Sequence, residues 1–435
     1  MSQDYYILKT LNMKDENIHF YEEFVTEENI KGKRCLVYHG YLTYIPEYCP
    51  KCGTCYDEKI EKHGFKNSLI KVPTVSKLNT YLSLNKQRYY CNHCNKTFTC
   101  TTNIVNYGCN ISNNTKQSIA FDLTKKISEK DISNYNNVSP NTVERVIDSY
   151  FELDSKVYKN TLPQELSFDE FKSVKTADGA MSFQICNAKN GKIIDIVEDR
   201  KLNNLMKYFS RYSRQSRMNV KIIVIDMYAP YISLIKTMFP NALIVIDKFH
   251  LIELISRSLN KTRIKLMKKD KDNYNKLKRY WKNILKSRFE LNSSSWKKYP
   301  CFKNLTTEQD IIDYLVSLDS EFEETYQIYQ DLLYAFQNNN LSVLEATLNA
   351  KYNNISEYMK TSVKTLKLYL EYIKNTFTTS CHNGYVEGNN NFIKVLKRIA
   401  FGFRSFTRFK ARIMICKGLI TPKQKEAENL SFSTS

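Results

Sequence analysis

Two aspartates follow short apolar runs in the middle of the chain, where their carboxylates could bind a divalent cation. Val220–Ile225 ends at Asp226, and Leu243–Ile246 ends at Asp247. Residues 230–239 between them carry apolar side chains at helical spacing, which predicts a strand–helix–strand unit with buried strands. Open parallel sheets bind ligands at the C-terminal ends of their strands. A carboxylate there is costly to desolvate without a cation, so the pattern indicates a metal site.

Four cysteines nearer the N-terminus have the spacing of a second metal site. Cys49 and Cys52 form one CxxC pair, Cys91 and Cys94 form another, and 38 residues (53–90) separate the pairs. This pattern is typical of a zinc ribbon, in which four thiolates hold a structural Zn²⁺ and leave no position open for catalysis. Reduced cysteines packed in a small core are the alternative. Other side chains could compete for a ligand position, namely Cys55, His63, His93 and Cys100.

Residues 106–155 carry the pattern of a helix-turn-helix. Apolar side chains keep helical spacing from residue 119 to 127, Glu129–Tyr135 predicts a short second helix, and Ser139 followed by proline predicts the start of a third. The polar face of that third helix presents Asn141, Thr142 and Arg145, which are types that reach phosphates and base edges in a major groove. A structural three-helix unit without DNA contacts remains the alternative.

The elements around the two aspartates predict how a third acid, Asp169, joins them. Asp169 lies in a strand-like run, and the elements after it are a hairpin with an Asn-Gly turn, a helix, the strand ending at Asp226, a helix and the strand ending at Asp247. This is the element order of a ribonuclease-H-like domain. Because the first and fourth strands of that fold are neighbours, Asp169 and Asp226 are expected to meet and share divalent ions.

Four blocks of sequence resemble the ISL3 family of bacterial insertion-sequence transposases: 167–172, 226–231, 247–250 and, most specifically, 380–404. The zinc ribbon and helix-turn-helix occur in the family's order, so the resemblance covers nearly the whole chain. It implies a DDE transposase whose catalytic acids are Asp169, Asp226 and Glu387, holding two Mg²⁺ or Mn²⁺ ions. It further implies binding to terminal inverted repeats, release of a 3′-hydroxyl at each end, and attack of that hydroxyl on target DNA by a homodimer or larger assembly.

The residues around Glu387 support that role independently. Glu387, Asn391, Lys394 and Arg398 would share one face of a helix, whereas Phe392, Val395, Leu396 and Ile399 would form an apolar stripe on another. The helix could then bury one side and present a carboxylate, an amide and cations on the other. A plain surface ion pair is the alternative. Basic and aromatic residues interleave beyond the helix and predict further DNA contacts, including Arg404 and Arg408.

Two residues are expected to support the acids. Asp247 is predicted to cap the helix that begins near Phe249 or to lie in a second layer around the metal site, although a fourth ligand role stays open. His250 is predicted to contact DNA or to orient a carboxylate, and a packed core histidine is an equal alternative.

The predicted fold class is a multidomain α/β protein with a ribonuclease-H-like DDE core interrupted by an all-α insertion. The long stretch between Asp226 and Glu387 exceeds what the fold's last connection needs, and its apolar spacing is mostly helical. The predicted domains are the N-terminal strands and zinc ribbon (1–105), the helix-turn-helix (106–155), the core in two parts (160–250 and 381–420), the insertion (251–380) and a polar, disordered tail (421–435).

The charge balance agrees with a nucleic-acid partner. The chain has 65 Lys and Arg against 45 Asp and Glu, a net charge of +20. We find no uncharged apolar run of membrane-spanning length and no signal at the N-terminus, so a cytoplasmic, nucleoid-associated protein is expected. Two other functions stay open: a sequence-specific DNA-binding protein without catalysis, and a ribonuclease-H-fold nuclease or resolvase.

Overall fold

A computed structural model describes residues 2–56, 59–154, 161–379 and 384–420, with side chains outside 150–154. The chain divides into two compact units. Unit 1 takes the described residues of Met1–Tyr158, Val174–Ala177 and Phe392–Ser435, and unit 2 takes those of Lys159–Ser173 and Asp178–Asn391. The domain boundaries given above stay a prediction, and the tail 421–435 lies outside the described residues. Across the described ranges, no helix is both long and apolar enough to cross a membrane.

Unit 1 begins with a five-stranded sheet of long strands. Helix α1 (Gln3–Thr10) precedes β1 (Ile18–Ile30), β2 (Lys33–Leu42), β3 (Ile60–Val75), β4 (Leu78–Cys91) and β5 (Lys96–Thr99). The strand order is β1-β2-β4-β3, with β5 paired to β4. Two tight turns join the antiparallel pairs, and both central residues of each turn have positive φ: Lys31 and Gly32 after β1, Ser76 and Lys77 after β3. Such turns match the twist of the flanking strands.

Three helices follow, of which the second and the start of the third lie where the sequence predicts, whereas the first ends before the predicted apolar position 127. They are α2 (Asn113–Asp122), α3 (Glu129–Tyr135) and α4 (Pro140–Asp154). Ser112 and Ser128 cap the first two by accepting backbone N–H groups. A later helix, α17 (Phe406–Cys416), packs against α4 in the same unit. Its buried Arg412 donates to the carbonyls of Leu123, Lys125 and Ile127, which extend beyond the C-terminal end of α2 and have no partner within that helix.

Unit 2 contains a five-stranded mixed sheet. Its strands are β6 (Glu165–Lys172), β7 (Met181–Asn187), β8 (Ile193–Val197), β9 (Ile222–Ile225) and β10 (Leu243–Ile246), in the order β10-β9-β6-β7-β8. The first strand, β6, pairs in parallel with the fourth, β9, so that predicted neighbourhood is confirmed. The single helix predicted between the hairpin and the strand that ends at Asp226 is instead two helices, α5 (Leu202–Phe209) and α6 (Arg214–Met218). Helix α7 (Ala229–Met238) connects β9 to β10.

The stretch after β10 is helical, as predicted. Helix α8 (Lys248–Lys269) packs against α12 (Ser320–Gln337) and α14 (Glu357–Leu368). Helix α11 (Glu308–Val316) begins with a capping box formed by Thr307 and Asp310. The remaining elements are α9 (Tyr274–Arg279), α10 (Trp281–Ile284), a 3₁₀ turn (Arg288–Glu290), β11 (Lys297–Lys298), β12 (Leu305–Thr306), α11 (Glu308–Val316), α13 (Leu341–Asn349), α15 (Leu370–Thr378) and α16 (Gly384–Ile399).

Helix α15 anchors this helical stretch to the sheet. Strand β10 is an edge strand, so its outer carbonyls need partners from outside the sheet. Asn375 Nδ2 donates to Ile244 O at 2.8 Å, and Thr376 Oγ1 donates to Ile246 O at 2.7 Å. The strand that ends at Asp247 is therefore held on both sides.

Candidate active site and zinc site

Asp169 and Asp226 lie level with each other on neighbouring parallel strands. Ser167 pairs with Val224, and the same register carried two residues further reaches Asp169 on β6 and Asp226 just beyond β9. Asp169 Oδ1 accepts the backbone N–H of Glu170 at 2.7 Å. Burial and the nearby Asp226 carboxylate raise the pKa of Asp169 to about 6. The sheet edge thus holds two acids that repel each other when both are ionised.

His250 is the cation that the structure supplies to this pair. It lies in the first turn of α8, and its Nε2 is 2.7 Å from Asp226 Oδ1. Burial disfavours its charged form, but Asp226, Asp247 and Asp169 outweigh that cost and raise the pKa of His250. Asp247 occupies the N-cap position of α8, although its buried side chain makes no capping hydrogen bond. His250 therefore contacts a carboxylate of the pair, and its role in orienting that carboxylate stays a prediction.

Helix α16 docks onto the β7–β8 hairpin through a glycine. Gly191 has a φ of +70°, and a Cβ built on it would lie 2.4 Å from Tyr385 Cβ, so only glycine fits this approach. Asn389 Nδ2 donates to Gly191 O at 2.9 Å. These contacts set the rotation of α16 about its axis, and with it the side chains that the helix presents to Asp169.

The side chain that α16 presents to Asp169 is Asn390, which sequence reasoning missed. Its Nδ2 donates to Asp169 Oδ2 at 2.6 Å, and its Oδ1 accepts from Gln184 Nε2 at 2.9 Å. Gln184 is the residue directly opposite Asp169 in the β6–β7 pairing. The position of Asn390 three residues after Glu387, hence on the same helical face, was the signal available in the sequence.

Glu387 is exposed on α16, one turn before Asn390. In the described ranges, the single group of three or more Cys, His, Asp or Glu ligand atoms lying within 4.8 Å of one another is the cysteine cluster. The structure thus places Asp169 and Asp226 at one sheet edge, and among the described residues Glu387 does not complete a three-acid cluster with them. The predicted polar stripe is exposed at Asn391, Lys394 and Arg398, whereas in the predicted apolar stripe Leu396 is buried and Phe392 and Ile399 are half-buried. The buried apolar residues are Val386, Ile393 and Leu396, and Val395 is exposed.

A second layer of polar side chains fixes the start of α7. Tyr231 OH donates to Glu170 Oε2 at 2.9 Å, and Arg200 forms an ion pair with the same carboxylate. The Arg200 guanidinium also stacks over the ring of Tyr228, 5.1 Å from its centroid. Because α7 begins three residues after Asp226, this network stabilises the turn that carries Asp226.

The four predicted cysteines form one compact cluster. The Sγ atoms of Cys49 and Cys94 are 3.8 Å apart, as are those of Cys52 and Cys91. Four sulfurs about 2.3 Å from a tetrahedral Zn²⁺ lie about 3.8 Å from one another, so the cluster fits zinc. Gly53 and Asn95 have positive φ, as tight knuckle turns require.

Two of the four thiols have pKa values shifted in opposite directions. Hydrogen bonds from Thr54 lower the pKa of Cys52 to about 5, while desolvation and the other three cysteines raise that of Cys94 to about 12. A cation amid the sulfurs favours the thiolate form of all four. Of the competing side chains, Cys100 is buried near Tyr44, and His93 contributes a hydrogen bond to Cys52.

The candidate DNA-contacting residues of unit 1 fall into two groups. Asn141, Arg145 and Arg404 are exposed, as a DNA contact requires. Thr142 is buried, with its Oγ1 3.1 Å from Ser139 Oγ. The guanidinium of Arg408 contacts two acids of α4, Glu144 at 2.6 Å and Asp148 at 3.0 and 3.1 Å, so Arg408 positions α4.

Two family profiles match this chain. Residues 166–413 match the DDE domain of the ISL3 family, described as "Transposase". Residues 46–94, which include all four clustered cysteines, match the "zinc-finger of transposase IS204/IS1001/IS1096/IS1165". The first match covers more than half of the chain and contains every acid of the candidate active site.

Two individual proteins are also similar. A Lactococcus lactis subsp. lactis protein named "ATP-dependent protease" is 45% identical over 114 residues, which are 26% of this chain and 36% of that relative. This chain therefore matches about a third of that relative's length. The solved structure titled "Drosophila P element transposase strand transfer complex" aligns with a TM-score of 0.34 and 11% identity, over 72% of this chain and 92% of that chain.

Proposed function

This chain belongs to the ISL3 family of transposases, and from that premise we propose that it cleaves DNA at the ends of an insertion sequence and joins those ends to target DNA. The observation that carries the proposal is the pairing of Asp169 with Asp226 at one sheet edge, where burial and mutual repulsion raise the pKa of Asp169. A site that concentrates negative charge in this way is suited to bind divalent cations.

We propose a ribonuclease-H-like fold for unit 2. Its sheet has three antiparallel strands in sequence, β6 to β8, followed by two parallel strands, β9 and β10, on the other side of β6. In the sequence, the helical stretch from α8 to α15 lies between the last strand of this sheet and α16. In unit 1, α2 to α4 are proposed to form the helix-turn-helix.

We propose that Asp169, Asp226 and Glu387 hold two Mg²⁺ or Mn²⁺ ions. When bound, such ions stabilise the attacking and leaving oxygens of an in-line phosphodiester displacement. Asp169 is fixed by the Glu170 backbone N–H and Asp226 is fixed by His250, so both carboxylates are held in place for this task. Glu387 supplies the third carboxylate from α16. The substrates are water, for release of a 3′-hydroxyl, and then that hydroxyl, for attack on the target strand.

We propose that DNA is recognised through exposed polar and basic side chains on two helices. Asn141 and Arg145 of α4 are suited to a major groove, while Asn391, Lys394 and Arg398 extend along α16 beside Glu387. The net charge of +20 supports a polyanionic partner. Joining two element ends requires both in one complex, so we propose a homodimer or larger assembly, acting in the cytoplasm on nucleoid DNA.

Cleavage and joining of a labelled element end in Mg²⁺ test this function. We expect Asp226→Asn and Glu387→Gln to abolish both steps while binding of the end in chelator is retained. Asp178→Asn, at an exposed aspartate of the same unit, should behave as the wild type does. Binding without cleavage by the wild type would instead indicate a repressor. Cleavage without joining would indicate a nuclease or resolvase.

A further inference from the structure

Two side-chain amides in series lie behind Asp169. Gln184 donates to Asn390, and Asn390 donates to Asp169 Oδ2. Gln184 is completely buried, and among the described residues its Oε1 has no hydrogen-bond partner. A buried carbonyl oxygen without a donor is unfavourable, and such an atom in a well-packed core calls for an explanation.

Rotating a side-chain amide by about 180° about its last C–C bond exchanges the positions of its oxygen and nitrogen, and Gln184 and Asn390 can make this turn only together. If Gln184 alone turned over, its Oε1 would face Asn390 Oδ1, and two acceptors would meet. If both turn, Asn390 Nδ2 donates to Gln184 Oε1, which then has the partner that it now lacks, while Gln184 Nε2 gives up Asn390 Oδ1 as its acceptor. The same turn places Asn390 Oδ1 against Asp169 Oδ2. Two oxygens in contact repel each other unless a cation lies between them.

The separation of the two residues already suits a shared cation. Asn390 Nδ2 and Asp169 Oδ2 are 2.6 Å apart. Adjacent oxygens around an octahedral Mg²⁺ with bonds of 2.0–2.1 Å lie about 2.9 Å apart. A movement of a few tenths of an ångström along α16 therefore converts the hydrogen bond into an edge of a coordination shell. Amide oxygens are ordinary ligands of hard cations.

We propose that Asn390 is an additional ligand of the metal site, and that Gln184 is the positioning residue that turns with it. The Asn390 N–H group holds Asp169 in the arrangement observed, and its Oδ1 binds the cation once both amides have turned. This inference rests on the proposed function, because it assumes a cation at Asp169 and Asp226. It adds a neutral fourth ligand to the three acids.

Titration of Mn²⁺ into the zinc-loaded full chain by calorimetry tests the role of Asn390 without any DNA reaction. Asn390→Ala removes the oxygen, so Mn²⁺ affinity should fall at least tenfold. Asn390→Asp keeps an oxygen but places a carboxylate against Asp169. It should retain wild-type affinity or exceed it, while its melting temperature in chelator falls below that of the wild type. Gln184→Met fills a similar volume without an acceptor and should weaken Mn²⁺ binding several-fold.

The control is Asn241→Asp, which adds the same charge in the loop before β10, at the opposite end of that strand from Asp247, and should leave Mn²⁺ affinity unchanged. Equal loss of affinity in Asn390→Ala and Asn390→Asp would mean that Asn390 only holds α16 in place, and would overturn the inference. Unchanged affinity in both variants would also overturn it. Asp169→Asn separates the two proposals, because it must abolish Mn²⁺ binding if the aspartate site is real. A wild type that binds no Mn²⁺ would refute both.

Discussion

Replacing Asp169 by asparagine should make the protein more stable in chelator, although it removes a proposed catalytic group. Burial and the Asp226 carboxylate raise the pKa of Asp169 from 3.8 to about 6. At neutral pH the folded state therefore holds an ionised carboxylate in surroundings that disfavour it. Asparagine has nearly the same shape and carries no charge, so the substitution removes that cost.

The size of the effect follows from the same pKa. At 1.36 kcal/mol for each pKa unit, raising it from 3.8 to about 6 costs roughly 3 kcal/mol. Asparagine has one acceptor oxygen where Asp169 uses two, one for the Glu170 backbone N–H and one for Asn390. Losing one of these hydrogen bonds costs about 1 kcal/mol or somewhat more. The net gain is therefore about 1–2 kcal/mol, or roughly 3–6 °C in melting temperature.

The gain must depend on pH in a defined direction. Because the folded-state pKa lies above the unfolded value, the folded wild type binds more protons than the unfolded chain between about pH 4 and pH 6. Its stability relative to Asp169→Asn then falls as pH rises through 6. The difference should be small at pH 4.5 and complete by pH 7.5. Urea unfolding of both proteins in chelator, followed by circular dichroism across this range, measures it.

Two comparisons make the result decisive. Asp178→Asn, at an exposed aspartate, should show no such pH-dependent gain. Adding Mg²⁺ should reverse the order of stability, because ligand binding stabilises only the protein that retains the site. If Asp169→Asn is less stable than the wild type by the same amount at pH 4.5 and 7.5, the inference of strained charge at this edge is incorrect.

Three further outcomes are expected. Gly191→Ala should lower the free energy of unfolding by about 3 kcal/mol and abolish cleavage, because the added Cβ collides with α16. Gly32→Ala, also at positive φ but in open space, should lower it by only about 1 kcal/mol, and thermal melts of the two variants test the difference. Cys91→Ser should lower zinc content and weaken binding of the element end at least tenfold, as metal analysis and gel shifts would show. Arg145→Gln should reduce the slope of log K for DNA binding against log salt concentration by about one, without changing the melting temperature. Arg408→Gln should lower the melting temperature and leave that slope unchanged.

The sheet of unit 2 was predictable because its strands have compositions that suit few other structures. β9 and β10 are runs of isoleucine, valine and leucine, buried on both faces, and each ends at an aspartate. The Asn-Gly pair after β7 identified the hairpin, and Gly191 has the positive φ that such a turn needs. The cysteine spacing identified the zinc site for a similar reason, since few other structures require two CxxC pairs.

Strands were expected within residues 1–105, but the bounds and pairing of the long strands of unit 1 were not predictable from the same signals. β1 reads Ile-His-Phe-Tyr-Glu-Glu-Phe-Val-Thr-Glu-Glu-Asn-Ile, which lacks regular alternation because a register shift interrupts its pairing after Phe20. The turn between β3 and β4 uses Ser76 and Lys77 at positive φ, where glycine or asparagine would have been the recognisable signal. Pairing with distant strands stabilises these segments, and that information is not local.

The face that α16 presents to the sheet shows the same limit at the active site. Helical spacing correctly placed Glu387 and Asn391 on an exposed stripe, but it did not say which flank of that stripe meets Asp169. That choice depends on Gly191, whose missing side chain lets α16 approach the hairpin and so directs Asn390 to Asp169. The rotation of a helix about its axis is decided by its contact with the sheet, whereas a single sequence shows only which faces the helix could present.

Charge balance explains why the described residues show no cluster of Asp169, Asp226 and Glu387. Burial and the Asp226 carboxylate already raise the pKa of Asp169, and a third carboxylate at about 4 Å would add roughly 4 kcal/mol of repulsion for each pair at an effective dielectric constant of 20. A neutral amide from Asn390 meets Asp169 at far lower cost. Convergence of all three acids therefore becomes favourable only when divalent cations neutralise them. Binding of the ions and approach of Glu387 should consequently occur as one event, coupled through the helix that carries both Glu387 and Asn390.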